Sequence, residues 1–542
     1  MARRLPTRAA LVTAVVGIGT LAVSLSPGAT ASGHFVQKWS IANAGPFGGE
    51  PSLASDPKGV LYDMTPSGGM LTYRSTDHGR TWKPTATADP NSGDDCVTTD
   101  QTGAVYACNL AGSDDGAPLQ ADVWKSTNGG KSWVRGTNTV TGNASACGTS
   151  CSPFGVDRDW LAASVPKKGD PTSKAVVALM YHDFYGPTSI WINKSVDGGK
   201  TFTQIDNVMA TPAITPGAVS GSLMAEGYTF CSTVPSGVGI VPPGKPHAGR
   251  IIVGWIASDP AEDAAGCNIS QYESFHTFWV SYSDDGGSTW TPQLAYDAGP
   301  GHDASSPFTA FTLDSSGNPY FGFVTNLNAN PALCAAESSA GAVQTDKACE
   351  YNMYVVWSKD GGATWDGGGG VIPGSAATPY QVNSPQDVGT HWFPAIAADT
   401  PGHVDVSYLR TPTILPTGPD GKADPGGCAG DKAAAKAPTY PDACKWTLYG
   451  AQSSNLTLPP GKATWNVSNI TGKTPMHIGD ICNLGIACVP RVSSRHLLDF
   501  IQEAIDPVTG CAHIAYADDN TVNKLRVANQ VKGCFPRSRH KH

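Results

Sequence analysis

An eight-residue motif occurs five times in this chain, and its repetition restricts the possible fold more than any other feature. Each copy reads Ser, any residue, Asp or Asn, any residue, Gly, any residue, Thr or Ser, and an aromatic residue. The copies run from Ser75 to Trp82, Ser126 to Trp133, Ser195 to Phe202, Ser283 to Trp290 and Ser358 to Trp365. The Ser and Asp side chains can hydrogen-bond a turn backbone, and the Gly can adopt a positive φ. We therefore interpret each copy as a β-hairpin turn within a repeat architecture.

A second, weaker repeat lies between these motifs. It consists of a short apolar strand ending in or near an Asp, a turn that usually contains Gly, and a second apolar strand. Its seven first strands are predicted at Glu50–Asp56, Val97–Asp100, Asp159–Ala162, Tyr228–Val234, Phe308–Asp314, Phe393–Asp399 and Phe500–Asp506. Each unit then contains two strands, a variable loop, a third strand, the eight-residue turn and a fourth strand. This order predicts an all-β fold, a single β-propeller with seven four-stranded blades.

The last two units differ from the others. The sixth has a diverged turn, Ser454-Asn455 followed by Gly461 to Trp465, and the seventh ends after a third strand at Lys524–Ala528. We expect the early segment Phe35–Ile41 to supply the missing fourth strand. That pairing would close the ring and remove the exposed strand edges that promote aggregation.

The first residues have the pattern of an export signal. Arg3, Arg4 and Arg8 precede an apolar run at residues 11–25, and small residues end at Ala31, where we place cleavage. No later apolar run approaches the roughly 18 residues that span a membrane. The predicted organisation is a signal peptide at 1–31, a propeller at 32–536 and a basic tail at 537–542. We expect a secreted monomer without membrane contact.

Charge and cysteine content agree with this prediction. Without the three leader arginines, 33 basic residues face 45 acidic residues and the formal charge is −12, which disfavours nucleic acid as a partner. Fourteen cysteines in an exported chain favour disulfides. Neighbours along the sequence are plausible pairs, although sequence alone leaves the connectivity open. These pairs are Cys96–Cys108, Cys147–Cys151, Cys231–Cys267, Cys334–Cys349, Cys428–Cys444, Cys482–Cys488 and Cys511–Cys534.

The five turns resemble the Asp-box (BNR) repeats of the sialidase-like β-propeller superfamily. The resemblance implies a propeller fold and, as one possibility, an enzyme that acts on carbohydrate. One departure concerns the first inner strand. Sialidases have Arg-Ile-Pro there, with an arginine that holds the substrate carboxylate, whereas this chain reads G-G-E-P-S and places Glu50 at that point.

Strand direction predicts which end of the propeller carries the site. Strand 1 starts on the face where strand 2 ends, so the 4–1 and 2–3 connections share one face and the Asp-box turns lie on the other. The long loops at residues 110–120, 259–276, 326–350 and 411–445 all belong to the first face. Because function on a rigid scaffold is concentrated in such loops, we expect the site at that mouth of the central channel.

Polar residues near the strand entrances supply the candidate site. One carboxyl group could act as an acid while another, or a Tyr activated by it, acts as nucleophile or base. The catalytic candidates are Glu50, Asp157, Asp159, Glu226 and Asp499. The arginines could hold a sugar carboxylate and Trp392 could stack on a sugar ring. The substrate-binding candidates are Arg158, Arg410, Arg491, Arg495, His391 and Trp392.

The same residues allow other interpretations. Carboxylates at strand entrances often cap loops or tie neighbouring blades through an arginine, so Asp157, Arg158 and Asp159 could be purely structural. No cofactor is predicted, and the run Ser113–Gly116 could bind calcium but is more typical of a turn. We favour a glycoside hydrolase that acts on exposed, possibly acidic, sugars. The alternatives are a non-catalytic propeller that binds a glycan or a protein, and a uronic-acid lyase that uses His or Tyr beside an arginine.

Overall fold

Seven four-stranded antiparallel sheets form the computed structural model, one for each predicted blade. The structure describes residues 36–91, 93–112, 119–137, 156–167, 169–170, 172–183, 190–208, 223–225, 228–230, 232–258, 275–299, 302, 304, 308–327, 350–365, 379–413, 444–479, 481, 496–520 and 522–537. The predicted signal peptide, residues 1–31, lies outside this part of the chain. Within these ranges there is no helix of the length and hydropathy needed to cross a membrane.

The first four blades follow the chain in order, and strands are numbered along the sequence. Blade 1 contains β2 (Ser52–Ser55), β3 (Leu61–Pro66), β4 (Met70–Ser75) and β5 (Lys83–Pro84). Blade 2 contains β6 (Asp95–Thr99), β7 (Val105–Ala111), β8 (Gln120–Ser126) and β9 (Val134–Arg135). Blade 3 contains β10 (Val156–Ser164), β11 (Val176–Asp183), β12 (Ile190–Ser195) and β13 (Thr203–Asn207). A hairpin of β14 (Leu223–Ala225) and β15 (Tyr228–Phe230) precedes blade 4, which contains β16 (Ser232–Ile240), β17 (Ile251–Ser258), β18 (Thr277–Ser283) and β19 (Thr291–Asp297).

The remaining blades complete the ring. Blade 5 contains β20 (Ala310–Leu313), β21 (Pro319–Thr325), β22 (Asn352–Trp357) and β23 (Tyr380–Gln381). Blade 6 contains β24 (Thr390–Ala398), β25 (Val404–Thr411), β26 (Lys445–Ser453) and β27 (Asn466–Asn469), with β28 (His477–Ile478) also paired to β26. Blade 7 contains β29 (Gln502–Ile505), β30 (Ala512–Asp518), β31 (Lys524–Lys532) and the N-terminal strand β1 (Lys38–Gly45).

The N-terminal strand closes the ring as predicted, with different bounds. β1 pairs antiparallel with β31 from Lys38 opposite Lys532 to Gly45 opposite Leu525, so the closing strand lies later than the predicted Phe35–Ile41. The first strand of blade 4 also begins later than predicted. Tyr228–Phe230 pairs with Leu223–Ala225 in the separate hairpin, and the first strand of the blade begins at Ser232. Because the backbone of the Tyr228 segment pairs within this hairpin, that segment is not part of the blade.

The Asp-box turns are held by their own side chains. In the first copy, Gly79 N donates to Ser75 Oγ at 2.9 Å, and Thr81 N donates to Asp77 Oδ1 at 2.9 Å. The Thr81 hydroxyl donates to Asp77 Oδ2 at 2.6 Å. All five motifs join strand 3 to strand 4. The diverged turn of blade 6 uses the same scheme across a longer loop, since Thr464 N donates to Asn455 Oδ1 at 2.9 Å.

Aromatic stacking and disulfides stabilise the blades. The core includes Trp255 stacked on Trp279 at 5.4 Å and Tyr320 stacked on Trp357 at 5.3 Å. Two of the predicted disulfides are present among the described residues, Cys96–Cys108 and Cys511–Cys534. Cys444 is also disulfide-bonded. Oxidised cysteines agree with the predicted export of the chain.

The start of the predicted basic tail is docked in the fold. Arg537 Nη1 lies 2.6 Å from Asp399 Oδ2, and Arg537 Nε donates to the Pro507 carbonyl at 3.0 Å. Arg537 thus contacts the strand 1–2 turns of blades 6 and 7. Residues 538–542 lie outside the described residues.

Candidate functional site

A central cavity is lined by the inner strands of all seven blades. One lining residue from each blade, in order, is Ser52, Val97, Leu161, Gly237, Thr309, Ala395 and Ile501. The four loops named in the prediction, at residues 110–120, 259–276, 326–350 and 411–445, each join strand 2 to strand 3, on the face where the inner strands begin. The strand order therefore agrees with the predicted position of the long loops opposite the Asp-box turns.

Four inner strands enter the channel through an unusual backbone conformation. Glu50, Arg158, Phe393 and Leu498 have positive φ angles of 45°, 52°, 51° and 54°. Each lies two residues before a residue that lines the channel: Ser52, Trp160, Ala395 and Phe500. A positive φ is costly for a residue other than Gly and often marks a functional position. In blades 1 and 3 the residue with the positive φ is charged, and the side chains of these two residues, Glu50 and Arg158, contact each other.

Arg158 of blade 3 connects the entrances of three other blades. Its Nη2 atom lies 2.5 Å from Asp499 Oδ2 and 3.3 Å from Glu50 Oε1, and its Nη1 atom lies 3.7 Å from Asp94 Oδ2. Arg158, Glu50 and Asp499 are 6%, 2% and 3% exposed. The side chain of Asp94 is 28% exposed, so it marks the side of the cluster that reaches solvent.

Aromatic rings cover the guanidinium group of Arg158. Its Cζ atom lies 3.9 Å from the ring centre of Phe308 and 5.2 Å from that of Phe500. Phe500 also packs against Trp160, with ring centres 5.6 Å apart. Contacts of a guanidinium with aromatic faces are favourable and become stronger where water is excluded. The Arg158 side chain is therefore fixed in position.

The surroundings of Glu50 favour the protonated form of its carboxyl group. Burial raises the pKa of the Glu50 carboxyl group well above its ordinary value, and the nearby carboxylates of Asp94 and Asp499 raise it further. Asp499 also hydrogen-bonds the Glu50 carboxyl group. The positive charge of Arg158 opposes these effects without cancelling them. A buried neutral carboxyl group beside a second carboxylate is an arrangement suited to acid catalysis.

The other catalytic candidates are only partly described. Asp159 follows Arg158 and is 5% exposed. The backbone of Asp157 lies opposite His182 in the pairing of β10 with β11, whereas its side chain is outside the described set. Glu226, Arg491, Arg495 and the run Ser113–Gly116 also lie outside the described residues. Among the residues that the structure does describe, no group of three or more His, Cys, Asp or Glu side chains could hold a metal ion.

The predicted residues of blade 6 form a second group, built around Asp387. Arg410 Nη2 lies 2.6 Å from Asp387 Oδ1 and donates to the Val388 carbonyl at 2.7 Å. His391 Nε2 lies 3.3 Å from Asp387 Oδ2, and its Nδ1 lies 2.7 Å from the Tyr351 carbonyl oxygen. The side chains of His391 and Arg410, two of the predicted substrate-binding residues, are thus already hydrogen-bonded within the protein.

Trp392 is buried in blade 6. It is 1% exposed and packs against Tyr351, with ring centres 5.9 Å apart. The strand register is interrupted between Trp392 and Ala395, beside the positive φ of Phe393. The ring is therefore part of the core, and its predicted role in sugar binding stays a prediction.

Sequence reasoning did not identify Asp94, Phe308 and Phe500 as partners of Arg158. Asp94 is one of many acidic residues of the chain, and the two phenylalanines were predicted only as strand residues. Glu50 and Arg158, charged residues near the starts of two inner strands, were the available signal, but nothing in the sequence pairs them with each other.

Comparisons with known proteins identify the repeat. The BNR/Asp-box repeat family matches residues 73–84, so the chain carries this repeat. None of the curated proteins compared with the sequence matches it. Solved structures with a similar course of the chain include a PL25 ulvan lyase, at 12% identity over 90% of this chain and 95% of that one, with a TM-score of 0.44. An α-L-arabinofuranosidase from Fusarium graminearum has 12% identity over 71% and 95%, with a TM-score of 0.38. A Hadza microbial sialidase has 11% identity over 86% and 74%, with a TM-score of 0.37.

Proposed function

We propose that this chain is a secreted glycoside hydrolase whose active site is the cluster of Glu50, Arg158 and Asp499. The observation that carries the proposal is the buried cluster in which Arg158 contacts both Glu50 and Asp499, with the pKa of Glu50 raised. Cleavage of a glycosidic bond needs a proton for the leaving oxygen and negative charge near the anomeric carbon. In this cluster one carboxyl group, Glu50, can supply the proton, and the other, Asp499, can supply the negative charge.

Each residue has a role in this proposal. Glu50 donates its proton to the glycosidic oxygen as the bond from that oxygen to the anomeric carbon breaks. The carboxylate of Asp499, held 2.5 Å from Arg158, stabilises the positive charge that develops on the sugar ring. Water then adds to the anomeric carbon and its proton returns to the Glu50 carboxylate. Arg158 is a positioning residue, since it fixes both carboxyl groups.

The lyase alternative would use the blade 6 group of His391, Tyr408 and Arg410. Burial, and then the nearby carboxylate of Asp387, raise the pKa of the Tyr408 hydroxyl well above its ordinary value. A hydroxyl group that resists losing its proton is a poor catalytic base. Both ring nitrogens of His391 already have hydrogen-bond partners. These observations favour the hydrolase over the lyase.

The proposal is tested with a panel of neutral and acidic oligosaccharides. Reducing-end release is measured for the wild type, Glu50→Gln, Asp499→Asn and the control Asp284→Asn, whose side chain pairs with Arg250 beside an Asp-box turn. We expect hydrolysis by the wild type and the control, and a loss of about 100-fold or more in the two site variants. Glycan retention without turnover would indicate the non-catalytic binding protein. Products with a double bond between C4 and C5 would indicate the lyase.

A further inference from the structure

Arg158 lies where an arginine could bind a substrate carboxylate, but its Nη2 group already contacts carboxyl groups of the protein. A clamp needs two N–H groups on one edge of the guanidinium, both pointing at the incoming carboxylate. In this structure Nη2 is directed at Asp499 and Glu50, at 2.5 and 3.3 Å. Phe308 and Phe500 lie near the guanidinium, with ring centres 3.9 and 5.2 Å from its Cζ atom. A substrate carboxylate would have to displace one of these partners.

The charge around Arg158 also opposes an anionic ligand. Three carboxyl groups, those of Glu50, Asp94 and Asp499, surround one guanidinium. The three acidic side chains thus outnumber the single positive charge at this point. Asp94 is the most exposed of the three, so an arriving sugar meets negative charge first. Juxtaposed like charges in a partly buried site discriminate strongly against a ligand.

Other described arginines near this face are also occupied. Arg410 pairs with Asp387 at 2.6 Å, and Arg526 Nε lies 3.4 Å from Asp518 Oδ2. Arg491 and Arg495 lie outside the described residues and therefore need a test of their own.

We infer that the site accepts glycans in which the sugar bound next to Arg158 is uncharged, and that it rejects sugars carrying a carboxylate. This inference rests on the proposed function. It narrows the substrate to neutral sugars, whereas the sequence had left acidic sugars open. Asp94 is the specificity-determining residue, because its carboxylate is the part of the cluster that an entering sugar reaches.

Matched substrates that differ only in charge provide the test. Fully methyl-esterified and de-esterified oligogalacturonides form one pair, and 4-nitrophenyl β-glucoside and β-glucuronide form another. For any pair that the enzyme cleaves, we expect the neutral member to react roughly tenfold faster or more. Asp94→Asn should reduce that ratio, whereas Asp284→Asn on the opposite face should leave it unchanged.

Every outcome bears on the inference. Faster cleavage of the acidic member would overturn it, and loss of that activity in Arg491→Ala/Arg495→Ala would locate the clamp at those residues. An unchanged ratio in Asp94→Asn would overturn the role of Asp94. If the enzyme cleaves no pair, the proposed hydrolase function is contradicted. Binding of the same pairs, measured by calorimetry, then tests the charge preference by itself. Preferential binding of neutral members would support it, whereas preference for the acidic members, or no binding to any of them, would overturn it.

Discussion

Arg158 Nη2 of blade 3 lies 2.5 Å from Asp499 Oδ2 of blade 7, although 341 residues separate them in the sequence. The contact crosses the channel mouth and includes Glu50 of blade 1 at 3.3 Å. The same ion pair therefore holds the proposed catalytic carboxyl groups and ties together blades that are distant along the chain. The structural and catalytic interpretations of this cluster are compatible, and they can be separated by experiment.

Replacing Arg158 with Met should destabilise the protein strongly. Two buried carboxyl groups would lose their cation, and breaking a buried pair in this way typically costs about 3–5 kcal/mol in the free energy of unfolding. Urea unfolding at neutral pH measures the loss. Adding Asp499→Asn to Arg158→Met should recover part of it, since one uncompensated charge is removed. A single variant as stable as the wild type would contradict the inter-blade role of the pair.

Replacing Asp285 with Asn should weaken an Asp-box turn in a pH-dependent way. Hydrogen bonds from the Thr289 side chain and backbone, and then from Ser283, lower the pKa of Asp285 to about 2. A lowered pKa in the folded state contributes stability that is complete above the unfolded value near 4 and is lost as the pH falls through 2. The urea midpoint of the variant should therefore lie below that of the wild type at pH 6. The difference should shrink between pH 4 and 2, and a constant difference would contradict this explanation.

Replacing Asp405 with Asn should have the opposite pH dependence. Burial, and then the nearby Asp399, raise the pKa of Asp405 to about 7, and burial and Asp405 raise that of Glu503. An acid whose pKa is raised in the folded state destabilises the fold as the pH rises from the unfolded value near 4 through 7. We expect the variant to gain about 4 kcal/mol relative to the wild type at pH 8 and little at pH 4. Melting temperatures measured at both pH values check this, and a destabilised variant at pH 8 would contradict it.

Replacing Gly79 with Ala should weaken the closure of the ring. A Cβ atom at Gly79 would lie 1.9 Å from Asn529 Oδ1 on the last strand, and Gly79 has a φ of +80°. Gly68→Ala is a matched control, because Gly68 has a φ of +66° and no atom within 4 Å of its Cβ position. Both variants carry backbone strain of about 1 kcal/mol, and Gly79→Ala should lose clearly more. Equal urea midpoints for the two would indicate that the contact with Asn529 does not matter.

The fold could be predicted from the sequence more completely than the site. Asp77 accepts hydrogen bonds from Thr81, four residues away, so an Asp-box turn is encoded within eight residues and is recognisable wherever it occurs. Strand alternation then fixes the two faces. The bounds of β1 were missed because its start depends on pairing with β31, at the other end of the chain.

The contacts of the site depend on the closed ring. Arg158 and Glu50 are 108 residues apart, and only the order of the blades brings them together. The positive φ of Glu50 has no local signal, since neither Gly nor Asn marks the position. Trp392 was predicted to stack on a sugar because it lies at a strand entrance. The break in register beside it is instead associated with its burial in the core.

The central claim is that Glu50 supplies the proton to the leaving oxygen, and leaving-group dependence measures this most directly. The rate constants of the wild type and Glu50→Gln should be compared on a natural neutral oligosaccharide and on the 4-nitrophenyl glycoside of the same sugar. The aryl leaving group departs without a proton. The account therefore predicts a loss of about 100-fold or more on the oligosaccharide and a much smaller loss on the aryl glycoside. Equal losses on both substrates, or an unchanged rate on the oligosaccharide in a folded variant, would contradict the assignment of Glu50 as the acid.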